Sequence, residues 1–478
     1  ALKKEKKSLQ NTMWNLREFK DNTAVVTEDG ETFSYARLSE ETEALAAVVP
    51  ARCLVFNLCS NTIGSLIGYV AFLNHGIVPL MLDEHIDREL LDNFLTLYKP
   101  DYLWLPADKT AEFKGEPIYA SNGYTLLKRA DEHAYPLYDE LALLLTTSGS
   151  TGSPKFVRQS YKNVQANTRS IIEYLEIDET ERAITTLPMN YTYGLSIINT
   201  HLSAGATLLL TCKTLMQREF WDFFTQQKAT SFGGVPYTYE MLNKLMFFRR
   251  KLPYLCTMTQ AGGKILPELH KKFAEYAERE GKRFVVMYGQ AEATARMAYL
   301  PPEKALEKCG AMGVAIPGGK FDLIDADGSK ITTPDTVGEL VYAGDNVTLG
   351  YAVCGKDLIK GDERNGVLRT GDMAKFDTDG YFYIVGRKKR FLKIFGNRVN
   401  LDETERLIKE HYPDFECACA GKDDSMKIFI TDETKIKEVQ AFVTEKTHLN
   451  FTAFHVKYIE NIPKNDAGKT LYAELNER

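Results

Sequence analysis

A chain of 478 residues is longer than one simple core usually organises, so two or more domains are expected. Apolar residues make up 44 % and charged residues 26 %, which is ordinary for a globular enzyme. A net charge of −6 and a pI near 5.9 argue against a dedicated nucleic-acid binder, which would carry a strongly basic face, and still allow a local basic pocket. The lysine-rich start, Ala1 to Ser8, lacks the apolar stretch of a secretory signal, so a cytoplasmic location is expected. The most apolar region, 54–82, is broken by Asn57, Asn61, Asn74, His75 and Pro79 and does not read as a membrane span. Eight cysteines show neither a CxxC pair nor zinc spacing, and reduced core thiols are expected. Cys417 and Cys419 have the spacing of two residues on one face of a strand.

In chain order, 54–58 and 77–81 read as buried strands, with a helix over 62–73 between them. A five-residue apolar run over 141–145 is another strand, followed by a helix pattern over 163–175. Further strands are expected at 206–210 and 284–287, and a helix over 266–279 with Pro267 in its first turn. This alternation predicts an α/β fold of parallel-type sheets covered by helices. Near residue 310 the pattern changes. Seven glycines between Gly313 and Gly350 punctuate short strands at 321–324 and 339–342, as in hairpins of a small barrel-like subdomain. The basic run Arg387, Lys388, Lys389, Arg390 breaks the composition again, and Lys388 in it reads as a solvated surface residue. Helices at 402–411 and 435–446 and strands at 427–430 and 455–458 follow. The expected division is a large domain, 1–388, and a small mobile α+β domain, 389–478.

The 141–145 strand runs into Thr146-Thr147-Ser148-Gly149-Ser150-Thr151-Gly152-Ser153-Pro154-Lys155. Six hydroxyls, two glycines and a lysine fall within ten residues. Glycines let backbone N–H groups approach an anion, hydroxyls donate further hydrogen bonds, and lysine adds charge. That is a polyphosphate cradle. A flexible linker would not follow a buried strand and end in Pro-Lys. The spacing does not match the GxxxxGK[ST] loop of common ATPases and kinases, and Pro463 occupies the first-glycine position before Gly468-Lys469-Thr470.

The segment 147–155 resembles the TSGSTGxPK loop of the adenylate-forming superfamily, which includes acyl-CoA synthetases, firefly luciferase and carrier-loading adenylation domains. Tyr288-Gly289-Gln290-Ala291-Glu292 resembles that family's YGxTE motif. The resemblance implies that Glu292 helps hold Mg²⁺ and that Tyr288 stacks on adenine. Ala291 stands where the family has a threonine that contacts the α-phosphate. Ala261-Gly262-Gly263 resembles the glycine turn along adenine, and Arg369-Thr370-Gly371-Asp372 the RTGD motif. There Asp372 would accept from the ribose hydroxyls, joined by Arg387. Lys389 occupies the hinge position, and Gly396 the loop that lines the thiol tunnel. Pro463-Lys464 with Gly468-Lys469 resembles the PKxxxGK signature, whose final lysine, Lys469, would bridge the acid carboxylate and the ATP α-phosphate. Arg390 and Phe156 depart from the family's usual acidic residue and glycine.

The implied reaction activates a carboxylic acid with MgATP to an acyl-adenylate and pyrophosphate, then passes the acyl group to a thiol. CoA is the first expectation for that thiol and a carrier-protein phosphopantetheine the alternative. A catalytically weakened adenylate sensor is the non-enzyme alternative. Tyr191, Val235, Ala261 and Met287 are the expected acyl-pocket walls. No Asp falls in 188–195 to hold a substrate amino group, so amino acids are not favoured.

Overall fold

The computed structural model describes residues 12–129, 135–146, 155–395, 397–464 and 470–478. The short apolar runs form strands whose residues are buried on both faces. Leu54–Cys59 is buried along its whole length and pairs in parallel with Val78–Asp83 and Tyr102–Pro106. Helix Ile63–Asn74 connects the first two strands, and every residue from Gly64 to Leu73 in it is buried. A helix that is apolar all round belongs inside a protein. It lies between two sheets: Leu66, Ile67 and Phe72 share one core with Val25 and Leu208 of one sheet and with Val55 and Leu143 of the other. Each such fully buried side chain contributes about 1.5–3 kcal/mol.

One of these sheets has eight strands. Leu141–Thr146, Val78–Asp83, Leu54–Cys59 and Tyr102–Pro106 are its parallel centre. The other has nine, with six parallel strands in the order Arg283–Tyr288, Thr257–Gln260, Ser231–Gly234, Arg182–Ile184, Thr207–Leu210 and Thr23–Thr27. This is the expected α/β architecture. Where the glycines cluster, a five-stranded antiparallel sheet forms, in the order Lys330–Ile331, Lys320–Ile324, Gly338–Ala343, Val367–Phe376 and Phe382–Arg387.

The C-terminal residues build a separate core around a three-stranded sheet, Cys417–Lys422, Ser425–Ile430 and Phe454–Tyr458. Helices Leu401–His411 and Ile436–Thr447 pack on it through Ile408, Val439 and Val443. Cys417 and Cys419 are both buried there as free thiols. Among the described residues no helix is long and apolar enough to cross a membrane.

Two local expectations change. Strand Phe156–Ser160 intervenes before the helix expected from 163, and that helix runs over Tyr161–Leu175. A capping box starts it: Asn163 N–H donates to Ser160 Oγ (3.2 Å) and Ser160 N–H donates to Asn163 Oδ1 (2.9 Å). Phe156 is fully buried in this strand, edge-on to Phe94 and Tyr98 at centroid distances of 4.8 and 5.1 Å. Its departure from glycine is therefore a matter of core packing.

Candidate active site

Antiparallel pairing sets Thr146 opposite Phe156, so both flanks of the glycine-serine loop are tied into one sheet. A linker has no such anchor. Thr147, Ser148, Gly149, Ser150, Thr151 and Gly152 lie outside the described residues. Lys155 Nζ is 5.1 Å from the ring centroid of Tyr351, which sits on the neighbouring strand Gly350–Ala352. Tyr351 donates its hydroxyl to Glu292 Oε1 at 2.7 Å. Burial and the Glu292 charge push this phenol's pKa well up, so it remains a donor. Arg364 Cζ lies 4.6 Å from the same ring, and its Nη1 donates to the Glu292 carbonyl at 3.2 Å. Thr348 Oγ donates to that carbonyl as well, at 2.9 Å. Tyr351, Thr348 and Arg364 thus hold Glu292, and the Tyr351 ring links it to Lys155.

The same segment reaches a second cluster through Tyr288 and Gln290. Tyr288 donates its hydroxyl to Asp372 Oδ2, and Gln290 Nε2 donates to the same oxygen at 2.8 Å. Arg387 faces Asp372 across the strand pair, its Nε 3.6 Å from Oδ1. Burial raises the Asp372 pKa, and Arg387, Tyr288 and Gln290 act against that rise. Between the clusters, Gly289 passes so close to the Ala295 carbonyl that a Cβ would lie 1.6 Å from its oxygen. Only glycine fits there.

Tyr191, Val235, Ala261 and Met287 come together in one apolar cluster with Ile171, Leu175 and Tyr193. Gly262 turns beside it at φ +84°, and a Cβ there would lie 2.6 Å from Tyr191 Oη. Gly263 lies against Pro236 in the same way, at 3.0 Å. A cleft is bordered by Thr146, Tyr191, Gly262, Gln290, Ala291 and Arg296. A second cavity, apolar along Ile171, Leu175 and Met287, shares Tyr193 and Arg296 with it.

From the C-terminal side, Lys464 Nζ lies 4.9 Å from the ring centroid of Tyr237, at the start of the helix that follows Val235. Lys464 is bridged to Thr470, so the residues that flank 465–469 lie side by side. Lys469 and Gly396 lie outside the described residues. Lys389 lies in the short turn Lys388–Arg390. Its neighbours have defined partners. Lys388 is exposed, as expected of a surface residue, and it pairs with buried Glu339 at 3.0 Å. Arg390 pairs with Asp402 and Glu405, each at 2.6 Å, and its Cζ is 3.7 Å from the Tyr472 ring centroid. Its departure from the acidic residue fastens the turn to the C-terminal core.

The sequence model of the AMP-binding enzyme family matches residues 13–352. The chain belongs to this family. Within the AMP-binding enzymes it is 27 % identical over 350 residues to the peroxisomal OPC-8:0-CoA ligase 1 of Arabidopsis thaliana, covering 70 % of this chain and 64 % of that protein. It is 31 % identical over 285 residues to the indoleacetate–CoA ligase of Aromatoleum aromaticum, covering 59 % and 54 %. The match thus spans less than two thirds of the length of these relatives. Two solved structures of the O-succinylbenzoate coenzyme A synthetase of Bacillus subtilis share the fold. The one with AMP has a TM-score of 0.78 at 20 % identity and covers 96 % of this chain and 97 % of its own. The one with ATP and magnesium ion has a TM-score of 0.76 at 20 % identity and covers 96 % and 98 %.

Gln290, Thr348, Tyr351 and Arg364 are site residues that sequence reasoning did not single out. Gln290 lay inside a recognised motif. The other three reach the site only through tertiary contacts and carry no local signal.

Proposed function

We propose that this AMP-binding enzyme is an AMP-forming acid–thiol ligase. A carboxylic acid attacks the α-phosphate of ATP, pyrophosphate leaves, and the acyl-adenylate passes its acyl group to a thiol. The observation that carries this reading is the span of 288–292. Its first residues engage the buried Asp372, and its last shares Tyr351 with Lys155. A nucleotide laid along that segment meets a carboxylate for its ribose at one end and a cation for its phosphates at the other. In this reading Asp372 and Arg387 hold the ribose, Tyr288 and Gly262-Gly263 border the adenine, and the loop through Lys155 cradles the phosphates.

Tyr351 occupies Glu292 Oε1, and Oε2 accepts no hydrogen bond from the described residues. One open carboxylate oxygen beside phosphates suits magnesium, which is commonly held by one or two carboxylates plus substrate phosphates. Among the described residues there is no cluster of three or more His, Cys, Asp or Glu to form an all-protein cage. When bound, magnesium neutralises polyphosphate charge.

Lys469 supplies the second cation, carried to the rim by the C-terminal domain, with the domain boundary at 388/389 and Lys389 as hinge. Gly396 lines the thiol path after rotation about that hinge. CoA is the proposed thiol, in keeping with the names of the relatives, and a carrier-protein arm is the alternative outcome of the acceptor test. The departures Phe156 and Arg390 have packing roles, which leaves Ala291 as the one departure at the cleft that bears on a sensor. Acid-dependent exchange of labelled pyrophosphate into ATP tests the proposal. Exchange with at least one acid of a broad panel is expected. ATP binding with no exchange for any acid would favour the sensor.

A further inference from the structure

Arg296 stands where the cleft and the apolar cavity meet, and the nucleotide chemistry does not use it. It is 3 % exposed, and its Nε has no hydrogen-bond partner. Its Cζ lies 3.8 Å from the Tyr193 ring centroid. Among the described residues no carboxylate forms an ion pair with it. Glu181, the one acidic residue on the apolar cavity's wall, takes the Thr230 hydroxyl instead, at 2.5 Å. Tyr174, Tyr191 and Tyr193 feel the guanidinium charge, and the neutral Tyr174 hydroxyl is its side-chain hydrogen-bond partner. Burial raises all three phenols, Tyr193 to about 12, so they stay neutral. A guanidinium keeps its proton in any pocket. The Tyr193 ring softens the field of this cation without neutralising it, and a buried charge without a counter-ion is costly. The apolar cavity carries Met287 and the cleft carries Tyr191 and Ala261, three of the expected acyl-pocket walls, while Gly262 and Gln290 turn the cleft toward the nucleotide.

Resting on the ligase reading, we infer that the substrate carries a second anionic group, which pairs with Arg296. A dicarboxylic acid is the simplest member of that class. One carboxyl is activated in the cleft bordered by Thr146, Gly262 and Ala291, and the second meets the guanidinium, which lines both the cleft and the apolar cavity. The apolar wall formed by Ile171, Leu175 and Met287 takes a small hydrocarbon substituent. A planar fork of donors suits a carboxylate better than a point charge does.

Pyrophosphate exchange with matched pairs of acids tests this. Each pair has one carbon skeleton, once as the dicarboxylic acid and once as its monomethyl ester or monoacid. Wild-type enzyme should favour the diacid by about a hundredfold in kcat/KM. Arg296→Gln should erase most of that preference by lowering the diacid, and Arg296→Lys should keep part of it. The wild-type comparison stands even if a variant fails to fold. Equal rates for both members of every pair would overturn the inference and leave the ligase reading intact. An equal loss on both members in a folded Arg296→Gln would also overturn it, because Arg296 would then serve the reacting carboxyl. Absence of exchange with every acid would fail the ligase reading, and the inference with it.

Discussion

The two ends of the cleft are built in opposite ways. At the nucleotide end every charged group that can be traced has a partner. Asp372 is held by Tyr288, Gln290 and Arg387, and Glu292 by Tyr351. At the acyl end, polar atoms lie buried and unpaired: Arg296 Nε, His201 Nε2 and Ser231 Oγ have no hydrogen-bond partner. A satisfied network fixes geometry for a ligand of constant shape. Unpaired groups mark where a variable ligand completes the structure. Specificity follows from the difference: the ribose carboxylate Asp372 is held by protein partners before ATP arrives, whereas the acid supplies the partner that Arg296 lacks.

The comparison breaks first at Lys469. Lys469→Ala should lower exchange by about a thousandfold or more with the melting temperature unchanged, as expected for a cation that acts on transition-state charge. Full exchange in that variant would remove the lysine from its role. Next, Phe156→Ala should cost about 3–5 kcal/mol in urea unfolding. A smaller cost would return Phe156 to the list of functional departures. At the nucleotide end, Asp372→Asn should weaken ATP binding by about 2–3 kcal/mol in calorimetry and leave the preference among acids alone. Tyr351→Phe should cost about 1 kcal/mol and raise the magnesium concentration needed for half-maximal exchange.

The smallest effect concerns pH. Burial holds His201, on the acyl-side wall, below its ordinary pKa of 6.5. Below pH 6.5 the unfolded state therefore binds more protons than the folded one, so this histidine's contribution is present above that pH and lost as pH falls. His201→Gln should flatten the decline in urea stability below pH 6.5. An unchanged decline would place the acid sensitivity elsewhere.

Much of the nucleotide end was legible because its residues are short contiguous motifs with fixed chemical tasks. The parallel strands were legible because burial on both faces leaves continuous apolar runs. Phe156–Ser160 was not, since Phe-Val-Arg-Gln-Ser alternates irregularly and Arg158 is buried by long-range bonds to Tyr351 and Glu363. Tyr351 was invisible for the same reason: it reaches Glu292 only because its strand adds to the edge of Phe156–Ser160. Arg296 sat four residues past a recognised motif, and only the cavity around it shows that its charge is unanswered.

Mass spectrometry of a single turnover tests the central claim most directly. Enzyme, MgATP and an accepted acid are mixed without thiol and quenched. The account predicts acyl-AMP and pyrophosphate in equal amounts, with the acyl-AMP consumed on adding CoA or a phosphopantetheine thiol. ADP and inorganic phosphate as the products, or intact ATP bound beside an unreacted acid, would contradict it.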